Sequence, residues 1–232
     1  MFLYQVSTKK SWYKMSTQFQ KSTLIRNIYV SRKNIIYYLK NLGYDVSNYE
    51  TFNIAEINAM EQNTKELSEL NFEVFRETDD GKQQRCCIMY YLKSNIKQMI
   101  LENMSTDFYD NVEDKENTSL IVVTLNPMND SLQKIIKKKW KKYGEYVIIM
   151  DLPGTQFNIL QHSMVPKHEK LTQEEKSQVY DKYNIDNDKQ IPEISMFDPV
   201  ARVLLMRPGE ACKIIRHDKI SYVNEFYRVC VV

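Results

Sequence analysis

The sequence predicts an α+β fold in which an N-terminal α/β unit precedes a compact C-terminal α+β unit. Three observations support this prediction. Apolar residues recur at helical spacing after about position 22. Charge-poor runs of strand length then alternate with helical segments. The last third combines helix caps with short strands. The chain has 232 residues, of which 43% are hydrophobic, enough to form a sizeable core.

The N-terminal unit begins with helical patterns. Residues 1–21 are rich in Ser, Thr, Gln and Lys without a sustained period, so we predict a loose leader there. From Ser22 onward apolar residues recur every three or four positions. This pattern ends near Gly43, a residue type that commonly terminates helices. A second helical pattern covers about 51–70.

Strand and helix patterns alternate through the rest of this unit, which indicates a small α/β layer structure. The turn signal Asp79-Asp80-Gly81 separates the first two strands, and Asn126-Pro127 turns the chain after the third. The predicted elements are strands at 71–77, 86–92, 120–125 and 147–150, helices at 93–104 and 132–143, and an acidic loop at 105–118. The uncharged run 120–125 is typical of a strand buried on both faces.

The C-terminal unit has clearer boundaries. Thr172 and Glu175 form a capping-box pattern that opens a helix through Tyr183. Asp198-Pro199 combines an N-cap acceptor with a residue suited to the first helical position, and that helix must stop by Pro208-Gly209. Strands are predicted at 211–215 and 226–232. We therefore divide the chain into a leader (1–21), an N-terminal domain (22–155) and a C-terminal domain (156–232).

Charge is distributed unevenly although the net charge is only +2. An acidic stretch covers 101–117. The following helix carries six lysines, at positions 134, 137, 138, 139, 141 and 142. The lysines form either a solvated helix face or a surface that faces phosphates. Trp140 falls on the apolar stripe, so we expect it in the core.

The sequence proposes no catalytic chemistry, cofactor or metal. The four cysteines form no C-x-x-C pair, which favours a reducing compartment. The three histidines lack patterned ligands or acidic partners. No phosphate-binding glycine loop is present. Two weaker alternatives are metal binding by the acidic stretch 107–116, and a nuclease centre built on Asp79, Asp80 and Lys82.

Four motifs occur in order in the last part of the chain. They are Gln161-His-Ser-Met-Val-Pro-Lys-His168, then Ile191-Pro-Glu-Ile194 with Asp198-Pro-Val-Ala-Arg202, then Lys213-Ile-Ile-Arg216, and finally Tyr227-Arg-Val229. They resemble the H-x-L-V-P-K-H, L-P-x-I…D-P-V-A-R/L, V-K-I-I-R and Y-R-hydrophobic motifs of the common small subunit of DNA-directed RNA polymerases. This family comprises the fifth shared subunit of nuclear polymerases and its archaeal counterpart.

The resemblance implies a non-catalytic subunit with an N-terminal jaw domain and a C-terminal assembly domain. The assembly domain would bind the largest polymerase subunit, and the jaw would lie beside downstream duplex DNA. No membrane or small-molecule substrate is implied. The composition suggests a divergent eukaryotic version, expected in the nucleus, or one from a large DNA virus, expected at a cytoplasmic replication site or in the virion. An interaction module reused outside the polymerase is the alternative.

The resemblance also nominates residues. For the subunit interface these are His162, Val165, Pro166, His168, Pro192, Asp198, Pro199, Arg202, Lys213, Arg216, Tyr227 and Arg228. For the surface near DNA they are Asn126, Pro127, Lys134, Lys137, Lys138 and Lys141.

Overall fold

The structure, a computed structural model, describes residues 3–63, 67–78, 81–217 and 222–232. The described residues form helices and two small sheets, which confirms the predicted α+β class. The helices are α1 (Leu3–Asn41), α2 (Ile54–Asn63), α3 (Gln98–Tyr109), α4 (Asp130–Tyr143), α5 (Gln173–Tyr183) and α6 (Pro199–Val203). The strands are β1 (Phe72–Glu77), β2 (Gln83–Tyr91), β3 (Thr118–Thr124), β4 (Tyr146–Asp151), β5 (Lys167–Lys170), β6 (Glu193–Ser195), β7 (Ala211–Arg216) and β8 (Asn224–Val231).

Helix α1 is longer than the sequence pattern predicts. It begins at Leu3, so the loose leader predicted for residues 1–21 is wrong from position 3 onward. No Pro or Gly interrupts this segment, and the helix continues through it without an apolar period. Its end is as predicted. Gly43 takes a φ of 83°, and the Tyr44 N–H donates to the Leu39 carbonyl at 3.0 Å, as in a Schellman motif.

The first sheet has the strand order β1-β2-β3-β4. Strand β1 pairs with β2 antiparallel, while β2, β3 and β4 are parallel and are joined through α3 and α4. Every residue of β3 is buried, as its uncharged sequence predicts. The predicted acidic loop at 105–118 is wrong in its first part, because α3 continues to Tyr109 with Phe108 and Tyr109 buried. The turn residues Asp79 and Asp80 lie outside the described residues.

Helices cover both faces of this sheet. Successive residues of a strand point to opposite faces. Arg85 in β2 stacks on Phe108 of α3, which places α3 on that face. Helix α4 contacts α3 and lies on the same side. Phe72 in β1 packs against Arg32 of α1, on the other face. The N-terminal domain is therefore a three-layer α/β/α arrangement.

The second sheet has the strand order β5-β7-β8-β6. Strands β7 and β8 were predicted, whereas β5 and β6 were not, because each is only three or four residues long and mostly polar. The capping box of α5 is present with both reciprocal hydrogen bonds. Asp198 accepts from the Val200 N–H at 2.9 Å at the start of α6. That helix ends well before Pro208, because Leu205 turns the chain with a φ of 50°.

One hydrophobic core extends across both halves of the chain. Tyr146 of β4 is fully buried and donates its hydroxyl to the Met206 carbonyl at 2.7 Å. The Arg207 guanidinium stacks on the Tyr146 ring and donates to the Thr118 carbonyl at 3.0 Å. None of the described helices is both long and apolar enough to cross a membrane.

The connection between the two halves is held against α1. Thr155 donates its hydroxyl to Ser31 Oγ at 2.8 Å. Its carbonyl accepts from Asn34 Nδ2, also at 2.8 Å. Farther along, the Tyr38 hydroxyl accepts from the Ile159 N–H at 3.1 Å. The segment between β4 and β5 is therefore a packed part of the fold.

Candidate subunit-docking surface

Strand β5 lies at the edge of the second sheet and begins with Lys167 and His168, the last two residues of the first motif. The Leu171 N–H donates to the Ala211 carbonyl at 3.0 Å, which sets the hydrogen-bonding phase of the β5–β7 pair. In an antiparallel pair alternate residues bond to the partner strand. His168 and Lys170 therefore direct their main-chain N–H and C=O groups away from β7, and this edge can accept another strand.

A cleft of about 920 Å³ runs along this edge. The C-terminal end of α1, with Tyr37 and Asn41, forms one wall. The end of β1, at Glu77, and the start of α5, at Thr172, contribute further lining. Because the cleft follows a strand with free main-chain groups, it has the shape and chemistry to hold an extended chain.

The other residues of the first motif fix the entry to β5. His168 Nδ1 donates to the Pro166 carbonyl at 2.7 Å, because a carbonyl oxygen can only accept. His162 is exposed, and its Nδ1 accepts from the Met164 N–H at 3.2 Å. Val165 is half-buried against the core. The structure therefore brings Pro166 and His168 to the cleft, with His162 on the adjoining surface.

Lys170 also lines the cleft, and its ammonium is paired with Glu210 at 2.7 Å. Burial lowers the pKa of Lys170 below its ordinary value, although Glu210 partly opposes this shift. The Glu210 carboxylate accepts in addition from the Arg207 N–H at 2.6 Å. This pair ties β5 to the turn before β7 and supports the floor of the cleft.

The interface residues of β7 and β8 lie elsewhere on the second sheet. Lys213 is paired with Glu225 at 2.6 Å, and Tyr227 donates its hydroxyl to the same carboxylate at 3.0 Å. The Arg216 guanidinium lies over the Phe226 ring. Arg228 donates to the Glu193 carbonyl of β6 at 3.0 Å, so it connects neighbouring strands. Since residues alternate between the faces of a strand, Lys213 and Tyr227 lie on one face of the sheet, and Arg216 and Arg228 lie on the opposite face.

The residues around α6 are mostly engaged within the chain. Arg202 donates to the Ile149 carbonyl of edge strand β4 at 2.8 Å and lies 3.9 Å from Asp151. Burial lowers the pKa of Arg202, while Asp151 opposes the shift. Arg202 thus joins the two halves of the chain, and its role in a subunit interface stays a prediction. Pro199 is exposed beside the cap residue Asp198.

Pro192 is exposed at the entry to β6, the other edge strand of the second sheet. Its carbonyl accepts from the Val229 N–H of β8 at 3.0 Å. The predicted interface residues are therefore distributed over the β5 edge, the two faces of the β7–β8 pair and the α6 region. Among these, the β5 edge has the most open main-chain groups.

The six lysines of α4 do not form one uniform face. Lys139 is buried and lies 3.1 Å from the Glu145 carboxylate, which is also buried. Lys137 donates to the Val232 carbonyl at 3.2 Å, and Lys138 pairs with Glu102 at 3.3 Å. Lys134 and Lys141 are exposed, with no partner among the side chains that the structure describes. These two, with exposed Lys142, are available to an external anion.

Asn126 and Pro127 lie at the carboxyl end of β3. The Asn126 amide contacts the Asn95 side chain, and its carbonyl accepts from Thr124 Oγ1 at 2.8 Å. Asn129 follows as the N-cap of α4 and accepts from the Leu132 N–H at 3.0 Å. The loop therefore leads directly into the lysine-bearing helix. Trp140 packs against the core and makes an edge contact with Tyr146, as its position on the apolar stripe predicts.

The described residues contain no cluster of side chains that supports the metal-binding or nuclease alternatives. No group of three or more potential metal-ligating side chains is found there. Asp79 and Asp80 of the nuclease alternative lie outside the described residues. The cysteines are buried, and burial raises the pKa of the Cys87 and Cys212 thiols to about 11. Those thiols are therefore protonated at neutral pH.

Arg207 connects the two halves of the chain, and this role was not predicted from the sequence. It lies in a turn whose local sequence attracts attention only through Pro208 and Gly209. In the structure it reaches across the junction to Ser119, whose hydroxyl accepts from the guanidinium at 3.0 Å. A lone arginine after the apolar run 203–206 was the available signal, but nothing in the sequence identifies its partners.

Comparison with known proteins identifies the family of the chain. The family profile described as RNA polymerase Rpb5, C-terminal domain, matches residues 157–230. DNA-directed RNA polymerase V subunit 5A of Arabidopsis thaliana is 24% identical over 204 residues, covering 88% of this chain and 87% of that protein. DNA-directed RNA polymerase subunit Rpo5 of Pyrococcus abyssi is 38% identical over 77 residues, covering 33% of this chain and 93% of that protein.

A third relative extends the similarity beyond the C-terminal domain. The DNA-directed RNA polymerases I, II, and III subunit RPABC1 of Caenorhabditis briggsae is 34% identical over 112 residues, 48% of this chain and 51% of that protein. The motifs, the profile match and the nearly complete coverage of the archaeal relative agree. The chain therefore belongs to the Rpb5 family of shared DNA-directed RNA polymerase subunits, which includes the archaeal Rpo5 proteins.

Proposed function

We propose that this chain is a non-catalytic subunit of a multisubunit DNA-directed RNA polymerase and that its C-terminal domain docks onto the largest subunit. The observation that carries the proposal is the open edge of β5, which lies along the cleft and directly continues the first family motif. We propose that an extended segment of the largest subunit adds to this edge as a further strand. The exposed His162 and the half-buried Pro166 would then set its direction.

The second part of the proposal concerns the N-terminal domain. We propose that it lies beside downstream duplex DNA, with Lys134 and Lys141 facing the phosphates. Both lysines are exposed on α4, which follows the Asn126-Pro127 loop. Lysines act on phosphates as point charges, so their contribution should depend on salt and not on base sequence.

Co-purification of the tagged full-length chain from its native source tests the assignment. We expect the two largest polymerase subunits in stoichiometric amounts. Recovery of a different partner in their place would favour the reused interaction module.

A pair of variants at one position tests the docking edge. His168→Pro removes an outward N–H without removing a hydrogen bond to β7, so we expect it to reduce recovery of the largest subunit. His168→Ala keeps that N–H and should therefore retain more docking than His168→Pro. Thermal unfolding of both proteins establishes that they are folded. Equal recovery with both variants would show that β5 is not the docking edge.

A further inference from the structure

Arg32 belongs to α1, and its side chain is buried between the helix and the segment that follows it. Arg32 is only 3% exposed, and its guanidinium carbon lies 4.3 Å from the Phe52 ring centre and 4.2 Å from that of Phe72. One of its terminal nitrogens donates to the Leu70 carbonyl at 2.7 Å. Its Nε has no hydrogen-bond partner, and no carboxylate whose position the structure describes forms an ion pair with it.

Among the side chains that the structure describes, this positive charge has no anionic partner. Burying a charge is costly unless it is paired, and aromatic faces compensate only part of that cost. Burial lowers the pKa of Arg32, and the groups that oppose this shift are the phenols of Tyr90 and Tyr49. Within the described structure, Arg32 is thus stabilised by aromatic rings, by the Leu70 carbonyl and by the phenol of Tyr90, and not by a carboxylate.

Arg32 lines a cavity of about 360 Å³ that opens to the surface. Aromatic and aliphatic side chains form much of its wall: Tyr29, Ile36, Tyr37, Tyr49 and Phe52. At the rim, Lys40 is paired with Glu50 at 2.6 Å, so these two charges offset each other. Lys33 at the rim is exposed. The cavity therefore combines an apolar wall with one buried and one exposed uncompensated cation.

We propose that this cavity binds an acidic segment of a partner protein, with an Asp or Glu side chain directed at Arg32 and flanking apolar residues against the rings. Charge complementarity favours this occupant, because the carboxylate supplies the missing anion. A nucleic-acid backbone fits less well, because it carries a charge at every phosphate, whereas much of this lining is apolar and Arg32 and Lys33 are its two cations outside the Lys40–Glu50 pair. The cavity shares Tyr37 with the wall of the β5 cleft, but Arg32 and Lys33 lie outside that cleft, and the site goes beyond the proposed polymerase docking.

Fluorescence anisotropy with the full-length chain tests this site. The probe is a short fluorescein-labelled peptide of alternating Leu-Leu and Glu-Glu pairs, and we expect saturable binding at low salt. Lys33→Glu reverses the charge of an exposed rim residue and should weaken binding about tenfold, a change in free energy of about 1.4 kcal/mol. Arg32→Met should abolish binding if its thermal unfolding shows a folded protein. If it does not fold, Lys33→Glu carries the test.

Three controls make the outcome decisive. Lys182→Glu makes the same charge change on α5, far along the chain, and should leave the affinity within about twofold. A probe with Gln in place of Glu should not bind. Duplex DNA should not displace the acidic probe. Equal weakening by both charge reversals, equal binding of the Gln probe, or displacement by DNA would each overturn the proposal.

Discussion

The hydroxyl of Tyr146 donates a hydrogen bond to the main-chain carbonyl of Met206, 2.7 Å away, inside the core that the two halves of the chain share. The donor belongs to the last strand of the first sheet, and the acceptor lies in the turn after α6. Burial raises the pKa of Tyr146 well above its ordinary value, so the phenol remains protonated and able to donate.

Tyr146→Phe should lower the free energy of unfolding by about 1–2 kcal/mol, because it removes one buried hydrogen bond without a large change in volume. Urea denaturation measures the difference. Tyr143→Phe is the matched control, since Tyr143 is 45% exposed, and it should have little effect. Equal effects from the two substitutions would show that the bond to Met206 contributes nothing.

Replacing one member of the buried pair of Lys139 and Glu145 should lower the free energy of unfolding more than replacing both. Lys139→Met leaves the buried Glu145 carboxylate with only Ser105 and the more distant Lys115 as partners. We therefore expect the free energy of unfolding to fall by about 3 kcal/mol. Lys139→Met combined with Glu145→Leu should recover most of that loss. Chemical denaturation of both proteins measures the coupling.

Lys138→Met is the control for this pair. It removes an exposed lysine that pairs with Glu102, and its effect should stay within about 0.5 kcal/mol. If the single Lys139 variant and this control unfold alike, the buried pair is not a structural element.

Stability should fall as pH rises above 9. Burial raises the thiol pKa of Cys87 and Cys212 from 9.0 to about 11, and the phenol pKa of Tyr90 from 10.0 to about 12. Between these values the unfolded chain has lost protons that the folded chain retains, so the free energy of unfolding decreases with pH. The lowered pKa values of Lys170, Arg32 and Arg202 act in the opposite direction, but the buried thiols and phenols with a raised pKa are more numerous.

Thermal unfolding between pH 8 and pH 11 measures this dependence. The ultraviolet absorbance of tyrosinate should show exposed tyrosines ionising first and buried ones ionising with unfolding. Cys212→Ala should flatten the profile above pH 9. A melting temperature independent of pH over this range would contradict the assignment of buried, protonated thiols.

Lys134 and Lys141, two of the exposed lysines of α4, should make a salt-dependent contribution to the affinity of the polymerase for DNA. Replacing Lys134 and Lys141 with Gln should reduce the slope of log affinity against log salt by about 2, roughly one for each phosphate that is no longer neutralised. The control replaces Lys137 and Lys138, which are engaged by Val232 and Glu102, and should change the slope less. An unchanged slope in the first variant would mean that the lysines form only a solvated face.

Much of the fold follows from local patterns. The uncharged run in β3, the capping box at Thr172 and the Asp198-Pro199 start of α6 each express a local preference that the structure retains. Strand β5 was missed because its polar sequence becomes a strand only through pairing with β7. Helix α1 was shortened in prediction because its first half lacks an apolar stripe.

The candidate site was less accessible to sequence reasoning than the fold. The motif at 161–168 directed attention to the region that the structure shows as an open strand edge. The partition of the lysines, however, depends on tertiary partners: Lys139 faces Glu145, while Lys134 does not face any described acid. Arg202 likewise finds its carbonyl partner on a strand more than fifty residues away. Spacing along the chain does not encode such contacts.

The packed connection between β4 and β5 has a mechanical consequence. Thr155 and Ile159 are hydrogen-bonded to α1, and Arg207 is hydrogen-bonded to β3, so a hinge motion between the two halves would have to break these bonds. We therefore expect the two halves to move as one rigid body, so that a rotation of α4 also rotates the β5 edge. A partner that binds one half should therefore also fix the orientation of the other half. Lengthening the connection would destabilise this packing without creating a flexible hinge.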